Sequence, residues 1–141
     1  MDFDPARDYP LGTRRPDLVT TPGGIPLADL TLAAVREGTL EAEEMRATPE
    51  TLRRQADVAR AAGRPELAAN LERAAELASV PADDILAIYT ALRPHRSSAA
   101  ELEGWAGRLE AAGAPAAAAF VREAAEVYAQ RGLLAREPAA V

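Results

Sequence analysis

The stretch from Met45 to Ser97 decides the fold, and it reads MRATPETLRRQADVARAAGRPELAANLERAAELASVPADDILAIYTALRPHRS. Thr48 followed by Pro49 is typical of a helix start, because threonine caps free backbone N–H groups and proline fits the first helical position. Gly63 is typical of a helix end, since glycine readily adopts the left-handed conformation that closes many helices. The next two helices open on prolines in the same way, at Pro65 and Pro81. Three helices joined by short loops are therefore predicted.

Apolar residues recur every three or four positions in these helices, and this spacing defines the faces that we expect to be buried. They are Leu52, Ala56, Ala59 and Ala62 in the first helix, Leu67, Leu71, Ala74 and Leu77 in the second, and Ile85, Ile88, Tyr89 and Leu92 in the third. Pro94 is predicted to end the third helix.

Similar signals on both sides of this stretch predict further helices. The predicted helix starts are Thr31, Ser98 with the capping-box residue Glu101, and Pro115, and the predicted stops are Gly38, Gly113 and Gly132. The residues that we expect to face inward are Leu102, Trp105 and Leu109, then Phe120, Ala124, Val127 and Tyr128. No alternating strand pattern occurs. The predicted fold class is all-α, a compact multi-helix domain over 31–134.

The first 30 residues have a different composition. They hold five of the eleven prolines of the chain, yet also apolar residues that a disordered tail would lack. An apolar segment interrupted by prolines is typical of an extended arm that lies along a protein surface. The predicted organisation is an extended proline-rich N-terminal arm (1–30), a helical domain (31–134) and a loose C-terminal tail (135–141).

Composition excludes several functions. The net charge is −6 and the sequence contains no lysine, so nucleic-acid binding is not expected. Cysteine is absent, which excludes disulfides and thiolate metal sites. No apolar run approaches the roughly 20 residues that a membrane span needs. We expect a cytoplasmic protein that binds neither nucleic acid nor membrane. Alanine makes up half of the apolar residues, so the core is thin and suits a subunit that completes its packing against partners.

A search for catalytic chemistry yields no site. His95 is the only histidine and is expected in a solvated loop, so neither a zinc site nor a catalytic triad can be assembled around it. Asp83 and Asp84 are explained by the positive end of a helix dipole, and Gly23–Gly24 by a turn. Helical spacing predicts the ion pairs Glu50–Arg54 and Arg53–Asp57. We therefore predict no catalytic, no cofactor-binding and no metal-binding residue.

Short motifs in a fixed order nevertheless resemble one family, the small (gamma) subunits of coenzyme-B12-dependent diol and glycerol dehydratases. The N-terminal motif is Asp8-Tyr9-Pro10-Leu11 followed by Thr13-Arg14-Arg15-Pro16. The central motifs are Thr48-Pro49-Glu50-Thr51-Leu52, Arg73-Ala74-Ala75-Glu76-Leu77 and Ile85-Leu86-Ala87-Ile88-Tyr89. Ala119-Phe120-Val121-Arg122-Glu123-Ala124 is similar near the end. The resemblance covers roughly residues 8–134.

The resemblance implies a subunit without chemistry of its own. It implies a heterohexamer with two copies each of a large, a medium and a small subunit, which dehydrates 1,2-propanediol or glycerol to an aldehyde. In this family the large subunit is a TIM barrel that binds substrate and metal ions. Adenosylcobalamin lies between the large and medium subunits, and the small subunit packs on the large one. No catalytic or cofactor residue therefore carries over to this chain.

If the chain is such a subunit, its N-terminal arm is predicted to be an interface with the large subunit. Its aromatic, aliphatic and arginine side chains are the predicted contacts with the large subunit: Tyr9, Leu11, Arg14, Arg15, Leu18 and Val19. Packaging in a bacterial microcompartment is doubtful, because the family members linked to it have a longer extension before the motif that starts at Asp8. The alternative function is a free-standing helical adaptor. A self-sufficient enzyme ranks third because no catalytic constellation is present.

Overall fold

The computed structural model describes residues 3–135, and within them the fold is all-α, as predicted. The described residues form seven α-helices and several 3-10 turns, and their only β-type pairing is an isolated bridge between Thr20 and Pro26. None of these helices is both long and apolar enough to cross a lipid bilayer. The chain divides into two compact units, Met1–Ala78 and Ser79–Val141, which are described separately.

The N-terminal segment of the first unit is not the extended arm that its prolines predict. It contains helix α1 (Leu11–Arg14) and 3-10 turns at Pro16–Leu18 and Leu27–Asp29. Proline fixes φ at a value that a helical turn also accepts, so a proline-rich segment can form single turns without forming a long helix. The predicted turn at Gly23–Gly24 is confirmed, because the N–H of Gly24 donates to the carbonyl of Thr21 and Gly24 has φ of 85°.

Helix α2 (Leu32–Arg36) has the predicted cap, in which the Thr31 hydroxyl accepts from the N–H of Ala34. After a 3-10 turn at Ala42–Met45, helices α3 (Pro49–Ala61) and α4 (Pro65–Leu77) pack as a hairpin. The core of this hairpin consists of small residues, Ala56, Ala59 and Ala68, with Leu71 packed against them. Small side chains let two helix axes approach closely, so the contact is tight although it buries little apolar area.

The second unit contains α5 (Ala82–Ala91), α6 (Ala99–Ala111) and α7 (Pro115–Arg131). The predicted capping box at the start of α6 is confirmed: Ser98 accepts from the N–H of Glu101, and the Glu101 carboxylate accepts from the N–H of Ser98. The core between α6 and α7 is larger than that of the first hairpin, since it holds the fully buried side chains of Leu102, Leu109 and Val121. Helix α5 contacts α6.

Four residues that the spacing places inward are exposed: Ala62, Leu67, Tyr89 and Phe120. Ala62 is exposed because α3 ends at Ala61 and the chain turns there. In the other three helices, residues outside the predicted stripe are buried: Ala68 and Ala75 in α4, Ala91 in α5, and Ala117, Ala118 and Val121 in α7. Ile88 of α5 is buried as predicted. In closely packed helix pairs the smallest side chains occupy the contact line, and the larger apolar residues are displaced to its edge.

The two hairpins repeat one another at an interval of 50 residues. Thr48 and Ser98 cap the first helices, Gly63 and Gly113 end them with φ of 72° and 79°, and Pro65 and Pro115 start the second helices. The residues between, Arg64 and Ala114, share a φ of −115° and donate to the carbonyls of Ala59 and Leu109. Residues at equivalent positions thus form equivalent loops, and the sequence contains the same type of helical hairpin twice.

An interhelical ion pair is also repeated, with its charges exchanged. Arg60 on α3 pairs with Glu72 on α4, and Glu110 on α6 pairs with Arg122 on α7 at 2.8 Å. Each residue of the second pair follows its counterpart by 50 positions. Both hairpins thus place opposite charges at this position across the helix contact, with the signs exchanged between the two helices.

Candidate interaction surface

The N-terminal segment is organised around one buried carboxylate. Asp8 is only 4% exposed, and its oxygens accept hydrogen bonds from the Arg7 guanidinium at 2.8 Å, the backbone N–H of Asp4 at 3.0 Å and Arg15 at 3.2 Å. Arg15 also pairs with Asp17. Guanidinium groups and backbone N–H groups favour the ionised form of a carboxylate. The hydrogen bonds from Arg7, and then from Asp4, therefore hold the pKa of Asp8 well below its ordinary range.

This arrangement predicts acid-sensitive stability. The pKa of Asp8 is lower in the folded chain than in the unfolded chain, where it is about 3.9. The ionised carboxylate therefore contributes fully to the free energy of unfolding above that pH, and this contribution is lost as the pH falls through the folded-state pKa. The variant Asp8→Asn keeps the shape but loses the charge. At pH 7 we expect Asp8→Asn to melt at a lower temperature than the unmodified chain. The difference between the two melting temperatures is expected to shrink as the pH falls below about 4.

Circular dichroism melts at several pH values provide the measurement. Asp29→Asn is the matched control, because Asp29 is exposed and forms no ion pair among residues 3–135. Equal midpoints for Asp8→Asn and the unmodified chain at pH 7 would contradict a stabilising role for this carboxylate.

Side-chain hydrogen bonds also tie the segment to the first hairpin. A guanidinium N–H of Arg54 on α3 donates to the carbonyl of Leu18, and the same side chain pairs with Glu50, as the spacing predicts. The second predicted pair, Arg53–Asp57, is wrong, since Asp57 pairs with Arg60 at 2.8 Å. Arg60 lies one helical turn away on the opposite side of Asp57, and three-residue and four-residue spacings are both within reach.

The six predicted interface residues fall into two groups. Tyr9 is 56% exposed, and Arg14 is exposed with its guanidinium donating to the carbonyl of Arg7 at 2.7 Å. The other four are partly buried within the first unit: Leu11, Arg15, Leu18 and Val19. Arg15 in particular has a side chain only 14% exposed and two carboxylate partners. Contact of all six with the large subunit stays a prediction, for which Tyr9 and Arg14 are the most accessible.

Asp84 and His95, the residues weighed above for metal-binding or catalytic roles, have different surroundings. Asp84 accepts from Arg108 at 2.9 Å, and that guanidinium also lies 4.5 Å from the centroid of the Trp105 ring. His95 is exposed in the loop between α5 and α6. Within residues 3–135, no three His, Cys, Asp or Glu side chains converge as metal ligands. That this chain carries no catalytic residue stays a prediction.

Comparison with known proteins identifies the family to which the chain belongs. A family model described as dehydratase small subunit matches residues 5–135. The chain belongs to the dehydratase small-subunit family. It is 52% identical over 125 residues to the propanediol dehydratase small subunit of Citrobacter freundii, which covers 88% of this chain and 73% of the relative. It is also 52% identical over 125 residues to the propanediol dehydratase small subunit of Salmonella typhimurium, with 88% and 72% covered.

Proposed function

We propose that this chain is the non-catalytic small subunit of an adenosylcobalamin-dependent diol dehydratase that converts 1,2-propanediol or glycerol to an aldehyde in the cytoplasm. The observation that carries the proposal is the 52% identity with two propanediol dehydratase small subunits over 88% of the chain. The free-standing adaptor is not favoured, because both relatives are named as subunits of a dehydratase.

The partners in this proposal are the large and medium dehydratase subunits, with two copies of each of the three chains. The thin core of the first hairpin supports the proposal, since alanine contacts leave stability to be gained by burial against another chain. So do the large apolar side chains that the units leave exposed, including Tyr9, Leu86 and Tyr89.

The described residues do not fit a cobalamin site. The imidazole of His95 lies on an exposed loop with its Nδ1 3.4 Å from the carbonyl of Leu134, and a recess beside α5 is open to solvent and lined mainly by small and aliphatic residues. We therefore assign adenosylcobalamin, and with it the radical chemistry that the cofactor supplies, to the large and medium subunits. This chain contributes to assembly.

Reconstitution tests the proposal. The purified chain, mixed with adenosylcobalamin and 1,2-propanediol, is expected to form no aldehyde and to show no cobalamin binding by calorimetry. Mixed with the large and medium chains of a diol dehydratase from the same source, it is expected to co-elute with both on size exclusion and to be present in a complex that forms aldehyde. The proposal is wrong if the chain elutes separately from both partners, or if it dehydrates diols by itself.

A further inference from the structure

Helix α5 presents an apolar surface that the second unit leaves uncovered. Leu86 and Tyr89 lie one helical turn apart and are 65% and 66% exposed. Leu86 also borders an open recess whose other lining residues are Ala87, Thr90, Ala91, Arg96 and Ser97. Single exposed apolar residues are ordinary, but two large ones together beside a recess are typical of a protein contact.

The edge of this surface is basic. Arg93 and Arg96 are exposed in the loop that follows α5, and within the described part of the chain neither guanidinium has an ion pair. The chain as a whole has a net charge of −6, but these two arginines give the apolar α5 surface a positive edge. Arginine is enriched at protein interfaces, where it pairs with carboxylates of the partner.

The basic loop is held in place before any partner binds. His95 has a φ of 61°, a left-handed value that few residues other than glycine adopt, and its N–H donates to the carbonyl of Leu133 at 2.7 Å. The N–H of Ala135 donates to the carbonyl of Ser97 at 2.9 Å. A loop fixed at two points loses little conformational entropy on binding, which favours affinity.

We infer that the α5 surface, defined by Leu86, Tyr89, Arg93 and Arg96, docks an acidic segment of a partner dehydratase chain that presents an apolar side chain beside carboxylates. The inference rests on the proposed function. A symmetric contact with a second copy of this chain is disfavoured, because a two-fold interface joins two copies of the same surface and neither copy supplies a carboxylate to pair with the arginines. An acidic segment that carries an apolar side chain would instead cover the apolar surface and pair its carboxylates with the basic edge.

Two double variants test the surface in the full-length chain. Leu86→Ala/Tyr89→Ala removes the apolar contacts, and Arg93→Gln/Arg96→Gln removes the charges. The matched controls change exposed residues of the same kinds in the first unit, namely Leu32→Ala/Val35→Ala and Arg36→Gln/Arg46→Gln. Dissociation constants for the complex of large and medium chains are measured by biolayer interferometry at low and high salt, and circular dichroism checks that every variant is folded.

The apolar variant is expected to weaken binding about 30-fold or more at both salt concentrations, the effect of losing an interface hot spot. The charge variant is expected to weaken it about tenfold at low salt and less at high salt, because salt screens exposed charges. If the unmodified chain binds while both α5 variants bind as tightly as the controls, the inference is wrong and the proposed function stands. Failure of the unmodified chain to bind would overturn both, and a concentration-dependent dimer of this chain that only the α5 variants abolish would overturn the acidic partner.

Discussion

Leu102→Ala is expected to destabilise the second unit by about 2–5 kcal/mol, the range for deleting a large aliphatic side chain from a packed core. Leu102 is 0% exposed and lies on α6, which forms the principal helix contact of the second unit with α7. Two of the three buried residues of α7, Ala117 and Ala118, are alanines, which cannot move to fill a cavity because their only side-chain atom is fixed to the backbone. Trp105, the only tryptophan, lies on the same helix and reports unfolding of this unit by fluorescence in urea.

Leu86→Ala is the matched control for this measurement. It makes the same chemical change in the same unit, but Leu86 is mostly exposed, so we expect its unfolding free energy to change by no more than about 0.5 kcal/mol. Similar losses for the two variants would show that burial in the α6–α7 contact does not govern stability. A decrease in unfolding free energy below about 1 kcal/mol for Leu102→Ala would show that Leu102 is not part of the packed core of this unit.

Deleting residues 1–26 is expected to prevent stable assembly with the large and medium subunits while leaving the helical circular dichroism signal largely intact. The core residues of the α3–α4 hairpin all lie after the deleted segment. The truncated chain therefore keeps the packing of Ala56, Ala59 and Ala68. The deletion removes Tyr9 and Arg14, the most accessible of the predicted interface residues, as well as the Asp8 cluster.

The single variant Tyr9→Ala separates the contact from the loss of the whole segment. If Tyr9 is an interface hot spot, binding to the large and medium chains should weaken about 30-fold. Leu32→Ala is the control, because Leu32 is even more exposed in the same unit and lies outside the predicted interface. Stoichiometric co-elution of the truncated chain at low protein concentration would refute the role of this segment in assembly.

The local signals in the sequence determined where most helices begin and end. Thr31, Thr48 and Ser98 cap as predicted because a hydroxyl that accepts from an N–H two or three residues ahead acts within one turn. Gly63, Gly113 and Gly132 close their helices at positive φ, which their lack of a side chain permits without help from the rest of the fold. The family motifs are likewise a property of the sequence and identified the same family as the comparison with known proteins.

Only the tertiary structure decided which residues of α4, α5 and α7 are buried most deeply and which charges on different helices meet. Spacing alone placed Leu67, Tyr89 and Phe120 inward, but all three are exposed, whereas Ala68, Ala91 and Ala118 of the same helices are buried. Small side chains favour close contact between helices, which explains the preference for alanine. The burial of Asp8 between Arg7 and Arg15, and the exchanged ion pairs Arg60–Glu72 and Glu110–Arg122, depend on residues brought together by folding. Caps and turns are decided within a few residues along the chain, whereas burial and charge pairing are decided by neighbours in space.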